Sequence, residues 1–181
     1  LTGDEDGYRR LCRHMVERFS RYNPPPLELP LACSLSPHSG VDPHQAVEWA
    51  DLAVSQQRDK LTLMAFACAY YRAGRADHTV KLLHEAMALP DPEAQSNAAF
   101  PLALACHALG RRQESLEWYR VGLTEMNAAT SRNPADAVPW AAPHWLNVNL
   151  WYREAKAILG ENSAQAAQPT DRKPQPPTRE Q

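Results

Sequence analysis

The chain has 181 residues, with 21 Asp and Glu against 19 Lys and Arg, and a formal net charge of −2. This length suits one domain with a sizeable core, and the scattered basic residues lack the clustering of a nucleic-acid-binding protein. No apolar run reaches the roughly 20 residues of a membrane-spanning helix, and the N-terminus does not resemble a signal peptide. We therefore expect a cytoplasmic protein without nucleic-acid or membrane partners.

The four cysteines each lie in an apolar helical stretch and none belongs to a C-x-x-C pair; they are Cys12, Cys33, Cys68 and Cys106. This usage favours free, buried thiols in a reducing compartment over a disulfide framework. The chain begins with Leu1 rather than Met. On that basis we expect a fragment of a longer protein.

The N-terminal third is predicted to form three helices. Over residues 4–21, apolar residues recur at helical spacing: Tyr8, Leu11, Cys12, Met15, Val16 and Phe19. The prolines at 24–26 end this helix, and a short second helix is expected to share one apolar face, made of Leu27, Leu31 and Leu35. Asp42 and Pro43 predict the start of a third helix, with Asp as N-cap and Pro at the first position.

Two similar helical hairpins follow, over residues 61–87 and 97–123. Gly74 and Gly110 lie 36 residues apart (110 − 74), and each is expected in the left-handed conformation that ends a helix. Small residues occupy equivalent positions before the two turns, namely Ala67 and Ala69 in the first hairpin and Ala103 and Ala105 in the second. A repeated helix pair indicates stacked units that present an extended surface.

The remaining segments continue the helical pattern, and none has the alternation of a strand. Pro101 is expected to bend the first helix of the second hairpin. Residues 128–139 are predicted to form a long connection, followed by a terminal helix that ends at Gly160. Residues 161–181 lack a hydrophobic pattern and are expected to be disordered. Trp140, Trp145 and Trp151 are expected to close the end of the stack, with an interface role as the alternative.

Both hairpins place small residues, an aromatic residue and a glycine turn at set positions: Tyr70, Gly74 and Ala86, then Ala103, Gly110, Leu116 and Tyr119. This pattern resembles the tetratricopeptide repeat (TPR). Three residues depart from it, namely Thr79, Ser115 and Gly122. Segments 7–12 and 152–155 are also similar to the C-terminal TPR region of planctomycete-type multidomain bacterial proteins, in which a serine/threonine kinase or WD-repeat portion lies upstream.

The resemblance covers residues 4–160 and implies an all-α, right-handed α-α superhelix of about seven helices. It also implies a protein-interaction module or scaffold of a bacterial signalling protein. In proteins of this type, a second apolar stripe on the first helices faces a concave groove, here Met64, Cys68 and Tyr71 with Phe100, Leu104 and His107. We therefore expect a protein or peptide partner with apolar anchors, because Met64 and Cys68 lack the donors of a carboxylate clamp. Packing of neighbouring helices on this stripe is the alternative.

The sequence contains no recognisable catalytic, metal-binding or phosphate-binding motif, so we expect no enzyme, metal or cofactor. His78 and His84 are six residues apart, which is wrong for two metal ligands on one helix. Cys106 and His107 are adjacent and point in different directions, so they do not suit a nucleophile and its base. Two other functions stay open: a structural spacer that stabilises an upstream domain, and an enzyme whose site forms only on folding.

Overall fold

The computed structural model describes residues 4–89, 95–130 and 142–166. These residues form eight helices, one more than the seven expected from the resemblance: α1 Glu5–Phe19, α2 Glu28–Ser34, α3 Pro43–Gln56, α4 Lys60–Arg72, α5 Ala76–Ala88, α6 Gln95–Ala108, α7 Arg112–Thr130 and α8 Ala142–Ala166. Within these ranges there is no strand. The predicted all-α class is confirmed.

The first two helices exist as predicted, but their buried faces differ from the prediction. In α1, Cys12 is fully buried whereas Leu11 is 54% exposed. In α2, Leu29 and Cys33 enter the core, while the predicted face is only half-buried, at Leu27, Leu31 and Leu35. The predicted α2 face is therefore wrong. Because α2 packs against α1, α3 and α4, a seven-residue helix is oriented by its neighbours rather than by its own leucines.

Side-chain caps fix the starts of α3 and α4. The backbone N–H of His44 donates to the Asp42 carboxylate at 3.0 Å, and Pro43 opens α3, as the sequence predicts. Asp59 caps α4 in the same way, because its carboxylate accepts from the Thr62 backbone N–H at 2.8 Å and hydroxyl at 2.7 Å. A carboxylate at this position satisfies N–H groups that have no partner within the helix.

The two hairpins, α4–α5 and α6–α7, turn with the same geometry. Gly74 and Gly110 have φ of 74° and 72°, a region that residues with a Cβ rarely adopt. The N–H of the residue after each glycine returns to a carbonyl five positions earlier, from Arg75 to Tyr70 and from Arg111 to Cys106, both at 2.9 Å. Both predicted turns are confirmed, and the 36-residue offset holds for their hydrogen bonds.

The hydroxyl residues that depart from the TPR pattern bond the two helices of each hairpin together. The Ser115 hydroxyl donates to the Ala103 carbonyl at 2.7 Å. The Thr79 hydroxyl is shared between the equivalent Ala67 carbonyl at 3.2 Å and the carbonyl of Arg75, one turn earlier, at 3.1 Å. The two hydroxyl residues and their interhelical acceptors are buried, and each interhelical bond spans 12 positions. The departures are thus a matched pair of interhelical hydrogen bonds.

The third departure, Gly122, makes room for a neighbouring aromatic ring. A Cβ at Gly122 would lie 2.7 Å from Cε1 of Phe100, so the α7 backbone packs directly on this ring. At the equivalent positions of the first hairpin, 36 residues earlier, stand Ala86 and Met64. The second hairpin therefore pairs a larger side chain, Phe100, with a residue that has none, Gly122, where the first pairs Met64 with Ala86.

The C-terminal helices are longer than predicted. α7 continues to Thr130, so residues 128–130 are helical and not part of a connection. α8 runs through Gly160 to Ala166, so the predicted end at Gly160 is wrong. α6 includes Pro101 without interruption. Residues 131–141 and 167–181 lie outside the described residues, and the disorder expected for the tail stays a prediction there.

Candidate protein-interaction surface

α8 covers part of the stripe that the sequence singles out on α4 and α6. Cys68, Phe100 and Leu104 belong to one buried cluster. The same cluster contains the buried residues of α8, which are Val148, Trp151, Ala155 and Leu159. Their spacing of three and four positions gives α8 a continuous apolar face, as predicted for the terminal helix. We call the covered residues Cys68, Tyr71, Phe100 and Leu104 the α4–α6 surface.

The other two predicted site residues lie outside this cluster. Met64 is half-buried and packs against the neighbouring core formed by α3, α4, α5 and α6. His107 is exposed. Tyr71 is half-buried and packs against both cores. The structure therefore brings together four of the six predicted residues and sets Met64 and His107 apart.

A largely buried ion pair joins α8 to α4 at the edge of the α4–α6 surface. The Arg72 guanidinium donates two parallel hydrogen bonds to the Glu154 carboxylate, each at 2.7 Å. The Arg72 side chain is only 8% exposed. Parallel N–H donors match the two carboxylate oxygens, which makes this geometry specific for Arg.

Arg72 also reaches the C-terminal end of α2. Its Nε donates to the Ser34 carbonyl at 2.9 Å, and a terminal nitrogen donates to the Leu35 carbonyl at 3.1 Å. These carbonyls belong to the last turn of α2, where backbone acceptors lack partners within the helix. One side chain therefore connects α2, α4 and α8.

Aromatic rings enclose the guanidinium. The Arg72 Cζ lies 4.4 Å from the centroid of the Trp151 ring, and the Tyr71 ring meets Trp151 edge-on at 5.7 Å. A cation above an indole face is attracted by the negative potential of the ring. Trp151 is 3% exposed and thus packs inside the structure. Trp140 and the side chain of Trp145 lie outside the described residues.

Burial governs the ionisation of the groups next to this pair. It raises the pKa of Tyr71 to about 12, and the Glu154 carboxylate adds to the shift. It also raises the pKa of Cys68 to about 12. Both groups are neutral at physiological pH, so the α4–α6 surface carries no charge of its own, and the Arg72–Glu154 pair lies at its edge.

Sequence reasoning missed Arg72, Glu154 and the two α2 carbonyls. The ion-pair partners are 82 positions apart, and no local pattern links residues at such a separation. The available signal was weak: Arg72 follows an aromatic stripe residue, and Glu154 stands three positions after Trp151 on a helix with a clear apolar face.

The groups considered for catalysis are separated from one another. Cys106 is buried and His107 is exposed, as their adjacent positions on one helix imply. Within residues 4–89, 95–130 and 142–166, no three His, Cys, Asp or Glu side chains converge to hold a metal ion. No helix in that part of the chain has the length and apolar character to cross a membrane.

Comparison with known proteins returned no similarity: no family model, no curated protein and no solved structure matches the chain.

Proposed function

We propose that this chain is a protein-interaction module of TPR type, without catalytic activity of its own, that binds an amphipathic helix on the α4–α6 surface. We further propose that its hairpins stack as a right-handed superhelix, and that it forms the C-terminal part of a larger cytoplasmic signalling protein of bacterial origin. The proposed helix site rests on one observation: the α4–α6 surface is covered by a helix, α8, through an apolar stripe and one specific ion pair. The other parts of the proposal rest on the sequence resemblance described above.

The chemistry of α8 defines the partner. Its buried residues supply an apolar stripe with one large aromatic residue, Trp151, and a carboxylate three positions later, Glu154. A competing helix needs the same two elements, because an unpaired Arg72 would remain buried with its charge uncompensated. The expected partner is therefore a helix with an aromatic anchor and an acidic residue one turn away.

A test can use the whole chain with a protease site inserted between Thr130 and Ala142. After cleavage, a fluorescent peptide of residues 142–166 is added and its anisotropy is followed. We expect the peptide to bind the cleaved chain as it replaces the original α8, and to bind the uncleaved chain more weakly, because the tethered helix competes at high effective concentration.

Variants of the added peptide separate the elements of recognition without changing the fold of the module. Trp151→Ala and Glu154→Gln should each weaken binding by on the order of tenfold or more, because both remove buried contacts with Arg72. Ala157 is exposed, so the control peptide Ala157→Gln should bind as the unchanged peptide does. Equal binding by all four peptides would contradict the proposed recognition.

The alternative function, a structural spacer, is favoured if the added peptide never replaces α8. The burial of Trp151, Ala155 and Leu159 also fits a helix that is a permanent part of the core. In that case the cleaved chain would keep its original α8 over days, and the labelled peptide would not bind. That outcome would exclude an exchangeable helix site.

A further inference from the structure

The N-terminal core contains two neighbouring thiols. Cys12 of α1 and Cys33 of α2 are both buried in a small cluster with Leu29 and Trp49, close enough for each thiol to shift the pKa of the other. They are free cysteines, 21 positions apart in the sequence (33 − 12). A disulfide between them would link α1 covalently to α2.

The surrounding groups favour the thiolate form of one member of the pair. The neighbouring Cys33 thiol lowers the pKa of Cys12 to about 7, although burial opposes this shift. The same neighbour effect and burial raise the pKa of Cys33. Tyr8 ties α1 to the end of α2 beside the pair, because its hydroxyl donates to the Ala32 carbonyl at 2.6 Å and accepts from the Ser36 N–H at 3.2 Å.

The other two cysteines provide an internal comparison. Cys68 and Cys106 are also buried, but burial raises the pKa of Cys68 to about 12 and that of Cys106 to about 11. They lie in different core clusters. A thiol is a poor nucleophile unless it ionises, so these two cysteines should be inert under conditions in which Cys12 reacts.

The position of α1 gives reagents access to the pair. α1 is the first helix of the described chain and packs principally against α2, and Cys12 is its one buried residue. Helices with few buried contacts open locally at a small fraction of the free energy of global unfolding. Small fluctuations of α1 would therefore admit a peroxide to Cys12 while α1 stays on α2 and the two thiols remain neighbours.

We propose that Cys12 and Cys33 form a redox-responsive pair that closes to a disulfide when the protein meets a peroxide. The Cys12 thiolate attacks one peroxide oxygen, the S–O bond forms and the O–O bond breaks. The leaving oxygen takes a proton from solvent, so the products are a sulfenic acid and an alcohol or water. The Cys33 sulfur then attacks the sulfenic sulfur, so that the S–S bond forms, the S–O bond breaks, and water leaves with the Cys33 proton. The two sulfurs lose two electrons in total, and the peroxide gains them.

The test treats the reduced, full-length chain with hydrogen peroxide at pH 7, alkylates the remaining thiols and digests the product with trypsin. Cleavage after Lys and Arg places the four cysteines in four separate peptides, covering residues 11–13, 22–58, 61–72 and 82–111. We expect a disulfide-linked 11–13/22–58 species to form on the order of a hundredfold faster than any oxidation of Cys68 or Cys106. Amide exchange in α1 should also slow by about tenfold or more once the link has formed.

Two controls sharpen the result. In Cys33→Ser, oxidation should stop at the Cys12 sulfenic acid, which dimedone traps, and no linked peptide should form. In guanidinium chloride, the preference for the 12–33 pair should disappear, because the preference depends on the fold. The proposal is wrong if Cys12 and Cys33 in the native chain oxidise as slowly as Cys68 and Cys106, or if other pairings form as readily.

Discussion

The contact between Gly122 and the Phe100 ring gives a substitution whose sign can be worked out from the structure. In Gly122→Ala, the new Cβ would lie 2.7, 2.8 and 2.9 Å from three ring atoms of Phe100. The ring is 1% exposed, so it has no free space to move into. Overpacking of this kind costs about 1–3 kcal/mol, and the higher helix propensity of Ala returns about 1 kcal/mol. We expect a net loss of about 1 kcal/mol.

The matched control is Gly160→Ala, in the middle of α8. A Cβ there would meet only the Lys156 side chain, at 3.4 Å, so the gain in helix propensity should stabilise the chain by up to about 1 kcal/mol. The same chemical change therefore has opposite signs at two helical glycines. Urea denaturation followed by circular dichroism gives both values, provided that the slope with denaturant is unchanged.

A second substitution identifies the ring as the cause. Phe100→Met reproduces the residue type of Met64 in the first hairpin, where Ala86 stands in place of glycine. In the Phe100→Met background, Gly122→Ala should become stabilising, with a coupling of about 2 kcal/mol between the two sites. If Gly122→Ala stabilises the unchanged chain as much as Gly160→Ala does, the ring moves aside freely and the packing argument is refuted.

Three further predictions concern hydrogen bonds and charges. Ser115→Ala should lower the free energy of unfolding by about 1–2 kcal/mol, because the Ala103 carbonyl loses a buried donor. The control Thr124→Val removes an exposed hydroxyl that is bonded within its own helix. It should change the free energy of unfolding by less than about 0.5 kcal/mol in the same urea assay. Arg72→Ala should lower the free energy of unfolding by about 3–5 kcal/mol. Arg58→Ala should cost far less, because the Arg58 side chain is exposed, although both arginines make two 2.7 Å bonds to a glutamate. Equal losses in thermal unfolding would contradict the role of burial. Asp59→Ala should lower the free energy of unfolding by about 1 kcal/mol at pH 7. Because the bonds from Thr62 lower the pKa of Asp59, the stabilisation by Asp59 is present above the ordinary carboxyl pKa and is lost as the pH falls through the lowered value. A difference between the two proteins that stays constant in an acid titration would contradict this assignment.

The features that could be predicted from the sequence are those that depend on a few consecutive residues. The turns at Gly74 and Gly110 and the start of α3 at Asp42 follow from local backbone chemistry, and the structure has them where predicted. The repeat offset of 36 residues could be read from the same signals. The face of α2 could not, because a two-turn helix between three neighbours takes its orientation from them.

The candidate surface was predicted only in part, for a related reason. The apolar stripe on α4 and α6 follows from helical spacing, but what covers it depends on α8, which lies far away in the sequence. The Arg72–Glu154 pair has no local signature. Thr79, Ser115 and Gly122 looked like irregularities in the repeat because their partners, two carbonyls and one ring, are visible only once the helices are packed.

Arg72 links the two regions for which roles are proposed. It holds Glu154 of α8, and it also binds the carbonyl of Ser34, the residue next to Cys33. Thermodynamic linkage then relates the thiol pair to the α8 site. If oxidation of the thiol pair changes the affinity for α8 by some factor, release of α8 changes the thiol–disulfide equilibrium by the same factor. One measured quantity, the peptide affinity of the oxidised relative to the reduced chain, fixes the coupling in both directions.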